Sequence, residues 1–142
     1  MSTTKQFPCE PRTPVGGLLY FGRMLDKIRK HARGELRDEY LPNMGKGMDS
    51  RLCNFLHVDY AVLKDFTLAG SSDEQVFEWC AQQGRRLNAD DVIIWNDFVS
   101  KRGWNDQATP VLEKQKAESG VGHRADLRTF FEFWDVDEGR KP

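Results

Sequence analysis

The chain has 142 residues, of which 39% are hydrophobic and 30% charged, and its formal net charge at pH 7 is −1. This length favours one domain with a buried core, and nine Phe with four Trp exclude a disordered chain. No run of about 18 apolar residues occurs and residues 1–17 lack a signal-peptide pattern, so we expect a soluble cytoplasmic protein.

The N-terminal segment, residues 1–17, contains three prolines and two adjacent glycines. This composition predicts an arm without regular structure in front of a single domain over residues 18–142. From Leu18, apolar residues recur every three or four positions, which predicts an amphipathic helix that ends near Gly34. Its inward face is expected to carry Leu18, Phe21, Met24, Leu25, Ile28 and Ala32.

Polar residues that accept hydrogen bonds from free backbone N–H groups mark the start of four short helices in the middle of the chain. The predicted caps are Asp49, Asp59, Ser72 with Gln75, and Asn88 with Asp91. Gly70, Gly84 and Gly103 follow three of these segments and are typical of helix ends. The segments share no pattern beyond their caps, which argues against a solenoid repeat.

Two more helices are expected in the last third of the chain. Thr109 and Pro110 suit the N-cap and the first turn of a polar helix. The last helix is expected to bury Leu127, Phe130, Phe131 and Trp134 before a tail over residues 135–142. Because alternation of period two is not sustained, we expect an all-α fold, a compact single-domain bundle of about six or seven short helices.

The cysteines and histidines form no recognisable site motif. Cys9, Cys53 and Cys80 are odd in number and far apart, so reduced thiols in the cytoplasm are expected. No two histidines have the spacing of metal ligands, and we predict neither a metal nor a cofactor. No catalytic motif is recognisable either, which leaves open whether the protein is an enzyme.

Charge is distributed unevenly along the chain. Residues 1–46 carry nine Lys/Arg and five Asp/Glu, a balance of +4, whereas residues 47–142 carry twelve and seventeen, a balance of −5. The first helix concentrates the positive charge, with Arg23 and Lys27 four residues apart, a spacing at which like charges repel. We therefore expect an acidic group, from this chain or from a partner, to neutralise that helix.

Two interpretations of the basic helix remain open. In the first, Arg23, Lys27 and Arg29 hold a carboxylate, a phosphate or an acidic peptide, and Asp26 orients them. In the second, the cations form a solvated face or pair with acidic residues of the C-terminal tail. Those residues are Asp135, Asp137 and Glu138.

Three aromatic and amide groups also have two interpretations each. Tyr40 follows the basic helix and either covers a ligand or packs inside the domain with its hydroxyl on a backbone carbonyl. Trp95 with Asn96 forms either a stacking surface with an adjacent amide or a core tryptophan beside a structural asparagine. We include all three among the candidate site residues.

The segment Arg23-Met-Leu-Asp26-Lys27-Ile-Arg29 carries a resemblance to a known family. Further matching positions are Gly17, Gly34, Tyr40, Asp49, the stretch from Asp73 to Trp79, Trp95-Asn96 and the stretch from Asp137 to Arg140. Over nearly its whole length the chain resembles the bacterial family called domain of unknown function 5069. The resemblance implies a small helical bacterial protein and leaves the activity unassigned.

Two functional hypotheses follow from the sequence. The first is a small cytoplasmic binding or adaptor protein whose basic helix face recognises an acidic protein surface. The second is an enzyme or sensor for a small anionic metabolite, a phosphate or a carboxylate, bound by Arg23 and Lys27 with Asp26 or Asp49 as general base. The acidic net charge disfavours nucleic-acid binding, no membrane is expected, and the oligomeric state is open.

Overall fold

The computed structural model describes residues 4–142, so residues 1–3 of the expected arm lie outside the described part. The helices are α1 Phe21–Ala32, α2 Met48–Leu56, α3 Tyr60–Leu68, α4 Asp73–Gln83, α5 Ala89–Lys101, α6 Thr109–Glu118 and α7 Phe130–Asp137. A 3-10 helix, Asp38–Asn43, follows α1. The predicted all-α class is confirmed, with seven α-helices in the described range. None of these helices has the length and apolar character needed to cross a membrane.

The helices form two compact units, of which the first ends at Val92 and the second comprises Ile93–Pro142. In the first unit, α3 contacts α1, α2 and α4. The fully buried side chains of the first unit include Leu18, Phe21, Met24, Leu25, Leu52, Leu56, Leu63 and Val76. The single domain over residues 18–142 stays a prediction.

Side-chain hydrogen bonds confirm three of the four predicted helix starts. They involve Asp59, Ser72 with Gln75, and Asn88 with Asp91. The prediction for Asp49 is wrong, because α2 begins at Met48 and Asp49 already lies in its first turn. Gly47 precedes this helix with φ +55°, a backbone conformation that L side chains rarely adopt. The chain turns at this glycine, so the helix begins at the next residue, one position before Asp49.

The predicted inward face of α1 is largely confirmed, with differences at its two ends. Leu18 is buried but lies in the turn before the helix, and Ala32 is exposed at the last helical position. On α5, the apolar side chain of Ile93 is not part of the buried face, since Ile93 is 57% exposed. On α6, Thr109 is the first helical residue rather than its N-cap.

The N-terminal segment from residue 4 to residue 20 contains no helix. It is hydrogen-bonded to α1 and to residues 35–37, which follow that helix. Gln6 donates to Glu35 O at 2.7 Å and accepts from Arg37 N at 3.1 Å. Lys30 donates to Phe7 O at 2.9 Å, so a side chain of α1 adds a further attachment.

The second unit has a small core between α6, α7 and the segment that joins them. Leu112, Leu127 and Phe133 form this core. Beside it, the ammonium group of Lys116 donates to Arg124 O at 2.8 Å and to Leu127 O at 3.0 Å. Lys116 is only 2% exposed, so this buried cation connects α6 to the segment before α7.

The acidic end of the chain pairs with basic residues of the same unit. Asp135 lies on α7, which runs on to Asp137, so the expected tail begins as helix. Arg140 contacts Asp135 at 3.2 Å and Glu138 at 2.8 Å, and both carboxylate side chains are at most 4% exposed. The C-terminal residues are therefore part of the second unit's structure.

Replacing Lys116 by Met should lower the free energy of unfolding by about 1–3 kcal/mol, because two carbonyl groups lose their buried donor. Urea denaturation followed by circular dichroism measures this loss. Lys114→Met on the same helix is the matched control, since the Lys114 side chain is 77% exposed. Equal stability of the two variants would contradict a structural role for Lys116.

Candidate functional site

Three buried polar side chains, Tyr20, Lys27 and Asp49, meet in the first unit and form the Tyr20–Lys27–Asp49 cluster. Lys27 Nζ lies 2.9 Å from Asp49 Oδ1 and donates to Tyr20 Oη at 3.0 Å. The Tyr20 hydroxyl in turn donates to Asp49 Oδ1 at 2.5 Å. The exposed fractions are 2% for Tyr20, 6% for Lys27 and 0% for Asp49. An ion pair of opposite charges is thus removed almost completely from water.

Local sequence features bring these three groups together. Tyr20 immediately precedes α1 and Lys27 follows it by seven residues, about two helical turns, so both lie on one side of that helix. Asp49 enters from the first turn of α2, and its Oδ2 accepts a hydrogen bond from Gly45 N at 3.0 Å. A Cβ atom at Gly45 would lie 2.8 Å from the Tyr60 ring, so only glycine allows this close approach.

Tyr20 adopts a strained backbone conformation. Its φ is 74°, in the left-handed region, at a bulky residue that lacks the short polar side chain with which Asn or Asp relieves such strain. Its backbone N–H donates to Pro11 O at 2.8 Å, and its hydroxyl is fixed by Lys27 and Asp49. Strained residues of this kind concentrate at functional sites, where the surrounding structure maintains them.

Burial keeps the hydroxyl and thiol groups around Asp49 neutral. Desolvation raises the pKa of Tyr20 well above its ordinary value, and the charge and hydrogen bond of Asp49 raise it further. Desolvation, followed by the charge of Asp49, raises the pKa of Tyr60 and brings that of Cys53 to about 12. The buried Tyr60 hydroxyl has no hydrogen-bond partner within residues 4–142. Asp49 is therefore surrounded by proton donors that stay protonated.

A second buried cation, Arg23, lies one turn before Lys27 on α1. It is 2% exposed, and its Nη1 donates to Cys9 O at 3.1 Å. Its guanidinium carbon lies 5.8 Å from the centre of the Tyr40 ring, within the range of a cation–π contact. Tyr40 is half-buried and also meets Phe7 edge to face, so its ring contacts both Arg23 and the N-terminal segment.

The other two candidates on α1 form ion pairs that fasten neighbouring segments. Asp26 lies 2.7 Å from Lys30 and accepts from Cys9 N at 2.8 Å, which ties it to the N-terminal segment. Arg29 pairs with Asp73 and donates to Ser71 O at 2.9 Å, at the start of α4. Their charges are engaged within the chain.

Trp95 and Asn96 lie on α5 in the second unit. Trp95 is 2% exposed and its ring centre is 5.6 Å from that of Phe98, so its side chain is buried. Asn96 is half-buried. Among residues 4–142, no group of three or more His, Cys, Asp or Glu side chains could hold a metal ion.

The structure thus unites Lys27 with Asp49 and places Arg23 beside Tyr40. Sequence reasoning missed Tyr20 and Tyr60. Tyr20 lies outside the helical face pattern because it precedes the first turn, and its spacing of seven residues from Lys27 is the signal that was available. Tyr60 lies beyond α2 in the chain, and only tertiary packing brings its ring onto Gly45.

Replacing Lys27 by Met should lower the free energy of unfolding by about 3–5 kcal/mol, because the buried Asp49 carboxylate loses its ammonium partner. The double variant Lys27→Met with Asp49→Leu should recover much of this loss. Lys101→Met, which removes an exposed ion pair with Asp97, should change stability by about 0.5 kcal/mol or less. Urea denaturation measures all three, and a double variant less stable than Lys27→Met would contradict the coupling.

Alkaline pH should destabilise the protein through its buried thiols. Desolvation brings the pKa of Cys53 and Cys80 to about 12, whereas an exposed thiol ionises near 9.0. Because the folded pKa is raised, the stabilisation is complete below pH 9.0 and is lost as pH rises toward 12. Urea denaturation at several pH values measures this slope, which should be shallower in Cys53→Ala with Cys80→Ala. Parallel slopes in the two proteins would exclude the thiols as its origin.

Comparison with known families agrees with the resemblance drawn from the α1 segment. A family model described as "Domain of unknown function (DUF5069)" matches residues 5–140, which is nearly the whole chain. No curated protein matches the chain.

Proposed function

This chain belongs to the DUF5069 family, and we propose that it is a sensor or binding protein for a small anionic metabolite that carries a phosphate or carboxylate group. Arg23 and Lys27 supply the positive charge of the proposed site, and Tyr40 covers it from the surface side. The observation that carries the proposal is the buried Tyr20–Lys27–Asp49 cluster, built at a strained residue and next to a buried arginine.

A purely structural ion pair requires only Lys27 and Asp49. The first unit also maintains the unfavourable backbone of Tyr20. Near the same carboxylate it buries the Tyr60 hydroxyl, which has no hydrogen-bond partner in the described part of the chain. Each of these features costs folding free energy, and clusters of perturbed ionisable groups are typical of functional sites. Their coincidence at one place supports a binding role.

The charges on α1 favour this proposal over recognition of an acidic protein surface. Such a surface would need exposed cations, but Arg23 and Lys27 are buried and Lys30 is tied to Asp26. Arg33, whose side chain is 52% exposed, pairs with Glu35 at 3.0 Å. A small anion that reaches the buried cations needs no exposed basic face.

The hydrogen bonds of Asp49 favour binding over catalysis by this residue. Its Oδ1 accepts from Tyr20 and lies in contact with Lys27, and its Oδ2 accepts from Gly45. A general base needs an oxygen directed at a substrate proton. We therefore assign Asp49 the role of positioning Lys27 for the anion.

We further propose a cytoplasmic location. The three cysteines are free thiols, and two of them, Cys53 and Cys80, are buried within the first unit. Free thiols persist in compartments where glutathione and thioredoxin keep them reduced.

A thermal-shift experiment with inorganic phosphate, pyrophosphate and citrate tests the proposed site. At about a hundred times its dissociation constant, a ligand stabilises the fold by about 2.7 kcal/mol, which raises the melting temperature measurably. At least one probe should raise the melting temperature of the wild type. Arg23→Gln and Tyr40→Ala should abolish the rise, because one removes the buried guanidinium and the other the ring that covers it.

Arg33→Gln is the matched control, since it removes an exposed cation near the end of the same helix, and its response should equal that of the wild type. Tyr40→Ala keeps the test decisive if Arg23→Gln does not fold. An equal rise in wild type and Tyr40→Ala, or no rise with any probe, would overturn the proposal.

A further inference from the structure

The second unit contains an open cleft of about 340 Å³ that the Tyr20–Lys27–Asp49 cluster does not involve. Its walls come from the segment between α5 and α6, from the inner turns of α6 and from the segment before α7. Residues that line it include Trp104, Asn105, Glu113, Lys116, His123 and Arg128. Its volume lies within the range of about 300–1,000 Å³ that is usual for small-molecule sites.

The wall between α5 and α6 is rigidly built. The carboxylate of Asp106 accepts hydrogen bonds from Gly103 N at 2.8 Å and from Ala108 N at 2.9 Å. The Asp106 N–H donates to Thr109 Oγ1 at 3.0 Å. Gly103 has φ +103°, and a Cβ atom there would lie 2.8 Å from Leu112. These contacts fix the segment that presents Trp104 and Asn105.

A second wall of the cleft is fixed by Lys116. Its ammonium group donates to Arg124 O and Leu127 O, and it lies 3.4 Å from Glu113. These contacts use all three of its N–H donors. Lys116 therefore holds the wall that carries His123 and Arg128 and contributes positive charge near the cleft, which Glu113 partly offsets.

Asp106 and Lys116, which hold the walls of the cleft, are fully hydrogen-bonded, whereas several residues that line the cleft make no such contacts with other described residues. Within residues 4–142, Trp104, Asn105, His123 and Arg128 make no side-chain hydrogen bond, ion pair or ring contact. Trp104 is 49% exposed, and Asn105 keeps a left-handed backbone with φ 51°. Hydrogen-bonded walls thus present four side chains that are available to bind a ligand.

From these observations we propose that the cleft binds a nucleoside monophosphate, a heteroaromatic base that carries one phosphate. The exposed indole of Trp104 offers a stacking surface for the base, and the Asn105 amide can donate to and accept from its edge. The guanidinium of Arg128 matches a phosphate with two parallel hydrogen bonds, and His123 adds a further donor. This site is independent of the function proposed for the first unit.

Isothermal titration calorimetry of the full chain with AMP tests this site, with adenosine and inorganic phosphate as separate probes. AMP should bind, and each of the two part-ligands should bind at least about tenfold more weakly, because each carries only one of the two groups that the cleft is proposed to recognise. Arg128→Gln and Trp104→Ala should each weaken AMP binding about tenfold or more. Both side chains are exposed and make no side-chain hydrogen bond, ion pair or ring contact with the described residues, so these variants should fold like the wild type. Circular dichroism checks this.

Arg86→Gln is the matched control for Arg128, since its side chain is 65% exposed and lies in the first unit, and it should bind AMP like the wild type. Tyr40→Ala should also retain AMP binding, which separates this site from the one proposed at Arg23. No binding of AMP at millimolar concentration, or unchanged affinity in Arg128→Gln, would overturn the proposal. Phosphate binding as tight as that of AMP in Tyr40→Ala, where the site proposed at Arg23 is removed, would overturn it as well.

Discussion

A carboxylate that is fully removed from water needs a cation and hydrogen-bond donors, and Asp49 obtains them from Lys27, Tyr20 and the Gly45 backbone. This requirement constrains the first unit at several points of the chain. It fixes the left-handed backbone of Tyr20 before α1, and it requires the turn at Gly45 to bring α2 back toward that helix. Burial of one ion pair thereby sets the relative positions of two helices within this unit.

Other charged side chains of α1 also bind neighbouring parts of the first unit. Asp26 and Lys30 pair with each other while each also binds the backbone of the N-terminal segment, and Arg29 binds the start of α4. A helix that is basic in sequence therefore joins several segments of the first unit, because many of its charged side chains also bind groups distant in the chain. Arg23 and Lys27 differ from the cations that join segments, because Arg23 and Lys27 are buried and the joining cations are partly exposed.

In the second unit, some polar side chains are fully hydrogen-bonded and others make no such contacts in the described chain. Asp106 and Lys116 are saturated with hydrogen bonds and hold the walls of a cleft, whereas Trp104 and Arg128 line it without partners in the described chain. Buried groups must be satisfied for the unit to be stable, but surface groups in a cleft carry no such requirement. Unengaged recognition groups on a saturated frame are the arrangement expected of a preformed binding site.

The sequence by itself determined the helical class, the starts of three helices and most of the inward face of α1, because caps and apolar periodicity act over three or four residues. It also identified Lys27 and Asp49 as candidates. Only the tertiary structure decided that Lys27 pairs with Asp49, that Tyr20 joins them, and that Trp104 and Arg128 line one cleft. These contacts join residues far apart in the chain, and their geometry depends on how whole helices pack, which no local pattern encodes.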